Sequence, residues 1–173
     1  MNRKHIALFW GVSAGLGAAD VISKYLVFGL VQEPAAGTVH GAGLIPGILF
    51  ITLRMNRGFA WSTLDFLPHQ LTAFINLVII GIVIYFYFYS KDVRRNRLTF
   101  SAVVLVMGGA LGNLYDRLLY GGVRDFIDVV IPLIRFDYPV FNLADIFVVA
   151  GVGLLILESI LEHRKEKQAG GGS

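Results

Sequence analysis

Asp125 and Asp145 are the groups best placed to do chemistry in a chain that is 55% hydrophobic. They lie in two polar-studded strings, GGALGNLYDRLLYGGVRDFID (Gly108–Asp128) and FNLADIF (Phe141–Phe147). A charged group beside hydrocarbon is costly, so one that is kept there usually has a function. Two carboxylates brought close share one proton, because both cannot ionise cheaply. The ionised partner then takes a proton from water while the protonated partner hydrogen-bonds a scissile carbonyl, and the roles reverse to expel the amine. That is the chemistry of an aspartic peptidase. A quieter role is open to the same residues. Asp125 is near Arg117 and Arg124 and could pair with either, and Asp145 falls in the first turns of a span, where the helix dipole favours an anion.

Competing chemistries are poorly supplied. The chain has no cysteine, which removes thiolates, disulfides and Cys-based metal sites. His5, His40, His69 and His163 are scattered without ligand spacing, and no HExxH string occurs, so neither a metal site nor a cofactor is expected. The small run Gly108-Gly109-Ala110 with Gly112 permits close helix approach; with no Lys-Ser/Thr after it, it is not a phosphate loop.

The elements that must position the two acids follow from hydropathy. Mean hydropathy is +0.67, and only 16% of the 173 residues are charged, in clumps; this is a membrane protein. Four stretches reach the roughly 20 residues a bilayer crossing needs: about Ile6–Leu30, Pro68–Tyr89, Arg97–Leu119 and Val140–Leu161. The N-terminal run is longer than a signal-peptide core and contains Asp20 and Lys24, so it reads as a retained span. Arg3 and Lys4 precede the first span, Lys91, Arg94, Arg95 and Arg97 separate the second from the third, and Arg164, Lys165 and Lys167 follow the fourth. Basic loops mark the cytoplasmic side, which places both termini there and segments 31–67 and 120–139 outside. The net charge of +3 is thus a topology signal, and nucleic acid is not expected as a partner.

The first outer segment is too long for a simple connection. Ile48–Leu53 reads as a short strand, and Phe59, Trp61, Phe66 and Leu67 read as interface-seeking groups of a surface-lying helix. Residues 1–168 are expected to form a single membrane-embedded domain, with 169–173 (AGGGS) a flexible, appended tail.

The remaining polar groups fall at one depth. Asn113 lies about 24 Å along the third span at ~1.5 Å per residue, close to its outer end, followed by Asp116 and Arg117. Asn142 and Asp145 open the fourth span, Asp20 and Lys24 occupy the outer half of the first, and Asn56 and Arg57 belong to the outer segment. Asp20 and Lys24 stand in the favourable order for an i,i+4 ion pair. That pair is either an internal bridge that makes the span tolerable or an anchor for the site or a lipid head group. Asn113 and Asn142 either orient the aspartates and a substrate backbone or simply join helices. Asp116-Arg117 reads as a structural pair, and Asp128 and Asp137 as solvated or rim residues.

Five blocks in register carry a family resemblance: Asp20-Val21-Ile22-Ser23-Lys24, Asn56-Arg57-Gly58-Phe59-Ala60, Gly109–Arg117, Val123-Arg124-Asp125-Phe126-Ile127-Asp128 and Phe141-Asn142-Leu143-Ala144-Asp145. On a four-span chain they resemble the lipoprotein signal peptidases (signal peptidase II) of bacteria, over Ile6–Leu161. The resemblance implies a membrane all-α fold with a small β element: a four-transmembrane-helix bundle with an outer β-cradle and a short lid-like surface helix. It also implies an aspartic endopeptidase of the bacterial inner membrane, multi-pass, with its site toward the extracytoplasmic side. Such an enzyme removes the signal peptide from prolipoproteins just before a cysteine carrying diacylglyceryl. By motif, Asp125 and Asp145 match the catalytic aspartates, and Asp20, Lys24, Asn56, Gly58, Asn113, Arg117 and Asn142 match the supporting polar positions. The expected partners are the lipid-modified prolipoprotein and membrane lipids, and the expected state is a monomer. The contrasting reading is a small proton- or ion-coupled membrane transporter using Asp20, Lys24 and Asp145 as a relay. No polar stripe continues toward the cytoplasmic face to serve it.

Overall fold

The computed structural model describes residues 3–32, 40–58, 69–134 and 136–170. Four helices are long and apolar enough to cross a membrane: α1 (Arg3–Leu30), α2 (His69–Tyr89), α4 (Arg97–Tyr120) and α5 (Leu143–Gly170). A single-turn helix, α3 (Asp92–Arg95), lies between α2 and α4. The strands β1 (Ala42–Ile45), β2 (Leu49–Asn56), β3 (Val123–Ile131) and β4 (Phe136–Asp137) form one antiparallel sheet in sequence order. The surface helix expected around Phe59, Trp61 and Phe66 lies outside the described residues.

Helix α4 is the centre of the bundle, packing against α1, α2 and α5. Small residues make this possible, since lipid-embedded helices associate by close packing rather than by a hydrophobic drive. An ideal Cβ on Gly109 would stand 2.4 Å from the carbonyl oxygen of Ala144 in α5, and one on Gly112 would stand 2.4 Å from the Asp20 carboxylate in α1. The buried stripe of α1 (Phe9, Ser13, Gly17, Asp20, Lys24) faces α4 at spacings of three and four. At the far end from the sheet, Phe9, Val83, Tyr87, Val103, Val104 and Met107 form an apolar core. There Phe9 stacks on Tyr87 at 3.9 Å, and the Tyr87 hydroxyl donates to the His5 carbonyl. Asn96 accepts from the Leu98 amide at the start of α4 and donates to buried Glu158 of α5. These contacts tie the helices far from the polar cluster.

The segment 120–139, read from the sequence as an outer loop, contains β3 and β4. The strand escaped notice because Arg124, Asp125 and Asp128 interrupt its apolar alternation, yet all three are buried. A buried charge persists where it is paired. Asp128, expected to be solvated, instead accepts from Thr52 Oγ1 at 2.5 Å and contacts His40 Nδ1 at 2.9 Å. Asp137 is exposed as expected, 3.8 Å from His40 Nε2. Gly121 ends α4 in the left-handed region (φ 65°), its amide bonded to the Arg117 carbonyl, and that conformation, easy for glycine, turns the chain into β3 within two residues. β3 lies between β2 and β4. Phe141 and Ile127 exchange backbone hydrogen bonds of 2.8 and 3.0 Å, so the chain re-enters the bundle beside Asp125. The fourth helix therefore begins at Leu143, three residues later than Val140, the start read from hydropathy.

Replacing Gly109 with alanine is expected to overpack the α4–α5 contact and lower stability by about 1–3 kcal/mol. Gly15→Ala, with open space around its Cβ, should leave thermal unfolding in detergent unchanged or slightly raised.

Candidate active site

Asp125 and Asp145 line one cavity of about 90 Å³ together with Asn56, Asn113 and Arg117, walled by Val123, Val148 and Val149. Each acid is held by amides from other elements. Asp125, on β3 and 2% exposed, accepts from Asn56 Nδ2 of β2 at 3.0 Å and from Asn142 Nδ2 at 2.6 Å. Asp145 accepts from Asn113 Nδ2 of α4 at 2.9 Å and from the Asn142 backbone amide at 3.2 Å.

Asn142 is the joint between the two acids. It precedes the first residue of α5, and its Oδ1 accepts from the Asp145 amide at 3.1 Å while Asp145 reaches back to its own amide. This reciprocal arrangement is a capping box in which Asn and Asp take the usual Ser/Thr and Glu places. The spacing Asn142-x-x-Asp145 is a helix-start signal that a reading from hydropathy, with the span starting at Val140, did not use. The side-chain NH₂ of Asn142 remains free of the cap and donates to Asp125 and to Asn113 Oδ1 (3.2 Å). One asparagine thus starts α5, orients Asp145 and touches Asp125.

Behind this layer lies a buried cation. Lys24, 0% exposed, donates to Asp20 Oδ2 at 2.6 Å and to Asn113 Oδ1 at 2.9 Å. Asp20 in turn accepts from the Ala144 amide at 2.9 Å, filling another open donor of the first turn of α5. Lys24 fixes Asn113 with its oxygen toward the ammonium, which leaves the Asn113 NH₂ to face Asp145. On the sheet side, the Gly58 amide donates to Asn56 Oδ1 at 3.1 Å, and this turns the Asn56 NH₂ toward Asp125. Arg117 adds a bond of 3.4 Å from Nη1 to the Asn113 carbonyl. All nine residues singled out in the sequence therefore meet in one network.

The expected pairing of Asp116 with Arg117 is replaced. Asp116 accepts from Arg124 Nη2 at 2.7 Å and lies 3.5 Å from Lys24 Nζ. With Arg124 turned to Asp116, the side-chain contacts of Asp125 are with asparagines. The proton affinity of Asp125 follows from these surroundings. Burial raises its pKa first and the charge of Asp145 second; the amides of Asn56 and Asn142 and the charge of Lys24 oppose them, and the outcome is about 7. Near neutrality Asp125 can carry a proton beside a second carboxylate, and the amides leave room between them for water or a substrate carbonyl.

An apolar groove of about 420 Å³ opens beside the cavity, sharing Asp145 and Val149 with it and lined by Val129, Tyr138, Phe141 and Ile146. Asp145 is the one acid of the two that lines this groove.

Comparisons with known proteins bear on the fold and the family. A family model described as signal peptidase (SPase) II matches residues 12–161. The chain is 34% identical over 125 residues to a lipoprotein signal peptidase of Halalkalibacterium halodurans, covering 72% of this chain and 77% of that protein. It also resembles two solved structures of a bacterial membrane enzyme. One superposes with a TM-score of 0.77 at 31% identity, covering 94% of this chain and 92% of the other. The second gives 0.71 at 31% identity, with coverages of 88% and 92%. Four apolar helices, a small antiparallel sheet and a matching model over most of its length place this chain in the signal peptidase II family, as a multi-pass membrane peptidase of the aspartic type.

Proposed function

We propose that this chain cleaves the signal peptide from diacylglyceryl-modified prolipoproteins, before the lipidated cysteine, with Asp125 and Asp145 as the catalytic pair. The observation that carries the reading is their convergence on one small cavity through a shared asparagine. Asp125, with a pKa near 7, is the proton donor that hydrogen-bonds the scissile carbonyl. Asp145, at the mouth of the apolar groove, is the base that takes a proton from water. After attack the roles reverse, and the amine leaves with a proton. Asp20, Lys24, Asn56, Gly58, Asn113, Arg117 and Asn142 hold the acids in place.

The substrate carries its own apolar helix and acyl chains and arrives laterally through lipid. The groove supports such an approach, because its apolar walls lead to the Asp145 carboxylate. The basic residues near Arg3, Lys91–Arg97 and Arg164–Lys167 support termini on the cytoplasmic side and an active site toward the extracytoplasmic face of the bacterial inner membrane, with the sheet as a cradle over it. Residues 1–168 act as one domain, and the enzyme works as a monomer in contact with lipid, since one chain supplies both acids.

Asp125→Asn and Asp145→Asn should each reduce cleavage of an acylated prolipoprotein by at least ~100-fold while leaving thermal unfolding near wild type. Wild-type turnover by either variant would overturn the assignment. The raised pKa of Asp125 also has a sign. The acid keeps its proton below about pH 7 and loses it above, so kcat/KM, which reports the free enzyme, should decline on the alkaline side with a midpoint near 7. A profile flat through pH 9 would contradict Asp125 as the donor.

A further inference from the structure

Arg124 and Asp116 take no part in the chemistry described above, yet they form a buried, multiply bonded charge pair in the polar layer. Asp116 is 0% exposed and Arg124 5%. The Arg124 guanidinium reaches Asp116 with Nη2 at 2.7 Å and with Nε at 3.2 and 3.3 Å, and the Arg124 backbone amide donates to the same carboxylate at 2.9 Å. The guanidinium carbon lies over two tyrosine rings, 4.4 Å from the centre of Tyr25 in α1 and 4.5 Å from that of Tyr120 in α4. The Tyr25 hydroxyl bonds those of Tyr120 (2.7 Å) and Tyr115 (3.0 Å), so the clamp is closed from both sides.

The location gives the clamp a consequence. Arg124 directly precedes Asp125 on β3, and successive strand residues point to opposite faces. Anchoring Arg124 against α4 aims Asp125 the other way, into the cavity; a one-residue slip would exchange the two. Asp116 also reaches the other acid. It lies 3.5 Å from Lys24 Nζ, Lys24 holds Asn113, and Asn113 holds Asp145. We infer that Asp116 and Arg124 are positioning residues for cleavage, with the stacked Arg124 fork registering β3 on α4 so that Asp125 faces Asp145. The inference rests on the dyad proposed above and adds two residues that set its geometry.

A loosened clamp lets Asp125 drift from Asp145 and admits water. The groups acting on Asp125 are Asp145 from α5, Lys24 from α1, Arg117 from α4, and the neutral Asn56 from β2 and Asn142 before α5, with Arg54 opposite it in register. Drift weakens both the burial and the like charge that raise its proton affinity, so the alkaline limb of activity moves to lower pH. A fault in folding alone would lower the amplitude without moving the limb.

The test is the full-length enzyme in detergent or bilayer, with kcat, KM and the pH profile for an acylated prolipoprotein substrate, beside thermal unfolding. Arg124→Lys keeps the charge but loses the planar fork and the stacking. It should lower kcat by roughly 10–100-fold, the scale of an ångström-level misplacement, with KM within about twofold of wild type by the same reasoning and the alkaline limb displaced downward. Tyr120→Leu removes one stacking face from a partly exposed position and should lower kcat by about threefold in the same direction; it carries the test if Arg124→Lys does not fold. Asp128→Asn, in the same sheet but bonded to Thr52 and His40, should keep the wild-type limb. An active Asp125→Asn would sink the dyad itself. An inactive Asp125→Asn, together with wild-type kcat or an unmoved limb in the folded clamp variants, would sink the positioning role alone.

Discussion

A buried ammonium is the constraint on which the rest of this structure depends. Lys24 is fully enclosed among helices, where an uncompensated charge would cost several kcal/mol or more. Three groups answer it: Asp20 one turn before it on the same helix, Asn113 on α4 and, at slightly longer range, Asp116. Each then has a second partner that matters to the site. Asp20 holds the first turn of α5, Asn113 holds Asp145, and Asp116 holds the arginine beside Asp125. Satisfying one cation therefore fixes the relative placement of α1, α4, α5 and β3.

The glycines of α4 make that network reachable. Asp20 can approach α4 because Gly112 has no side chain, and α5 can bring Ala144 close because Gly109 has none. The polar layer at one end and the Phe9–Tyr87–Met107 core at the other divide the work. Apolar packing holds the helices together at one end, while directional hydrogen bonds specify side-chain orientation around the two acids at the other. The acids themselves sit on elements of different kind, one on a strand and one on a helix start. Asn142 is the residue that spans the two.

Much of this was legible in the chain, and the failures have a common cause. The spans were found within a few residues because hydropathy sums along a segment, and the strand read at Ile48–Leu53, which runs Leu49–Asn56 in the fold, was found because the run is apolar, partly β-branched and preceded by turn signals. β3 was missed because Arg124, Asp125 and Asp128 look like loop residues until their partners are known. The solvated reading of Asp128 failed for the same reason: Thr52 and His40, which make its burial tolerable, come from a segment 76 and 88 residues away. The Asp116–Arg117 pairing followed from adjacency, but neighbouring residues on a helix point about 100° apart, and the strand that brings Arg124 back to Asp116 is a feature of the fold.

The amino-acid sequence by itself determined the number of membrane-spanning helices, the set of polar residues too costly to be incidental, and the family. These depend on residue type and local spacing, which a string records. Tertiary structure decided which acid meets which base, that Asp125 rides on a strand while Asp145 belongs to a helix cap, and that burial and a neighbouring charge keep a proton on Asp125 to about pH 7. Those outcomes depend on distances between segments such as Lys24 and Asn113, 89 residues apart, and distance in space is set only when the helices pack.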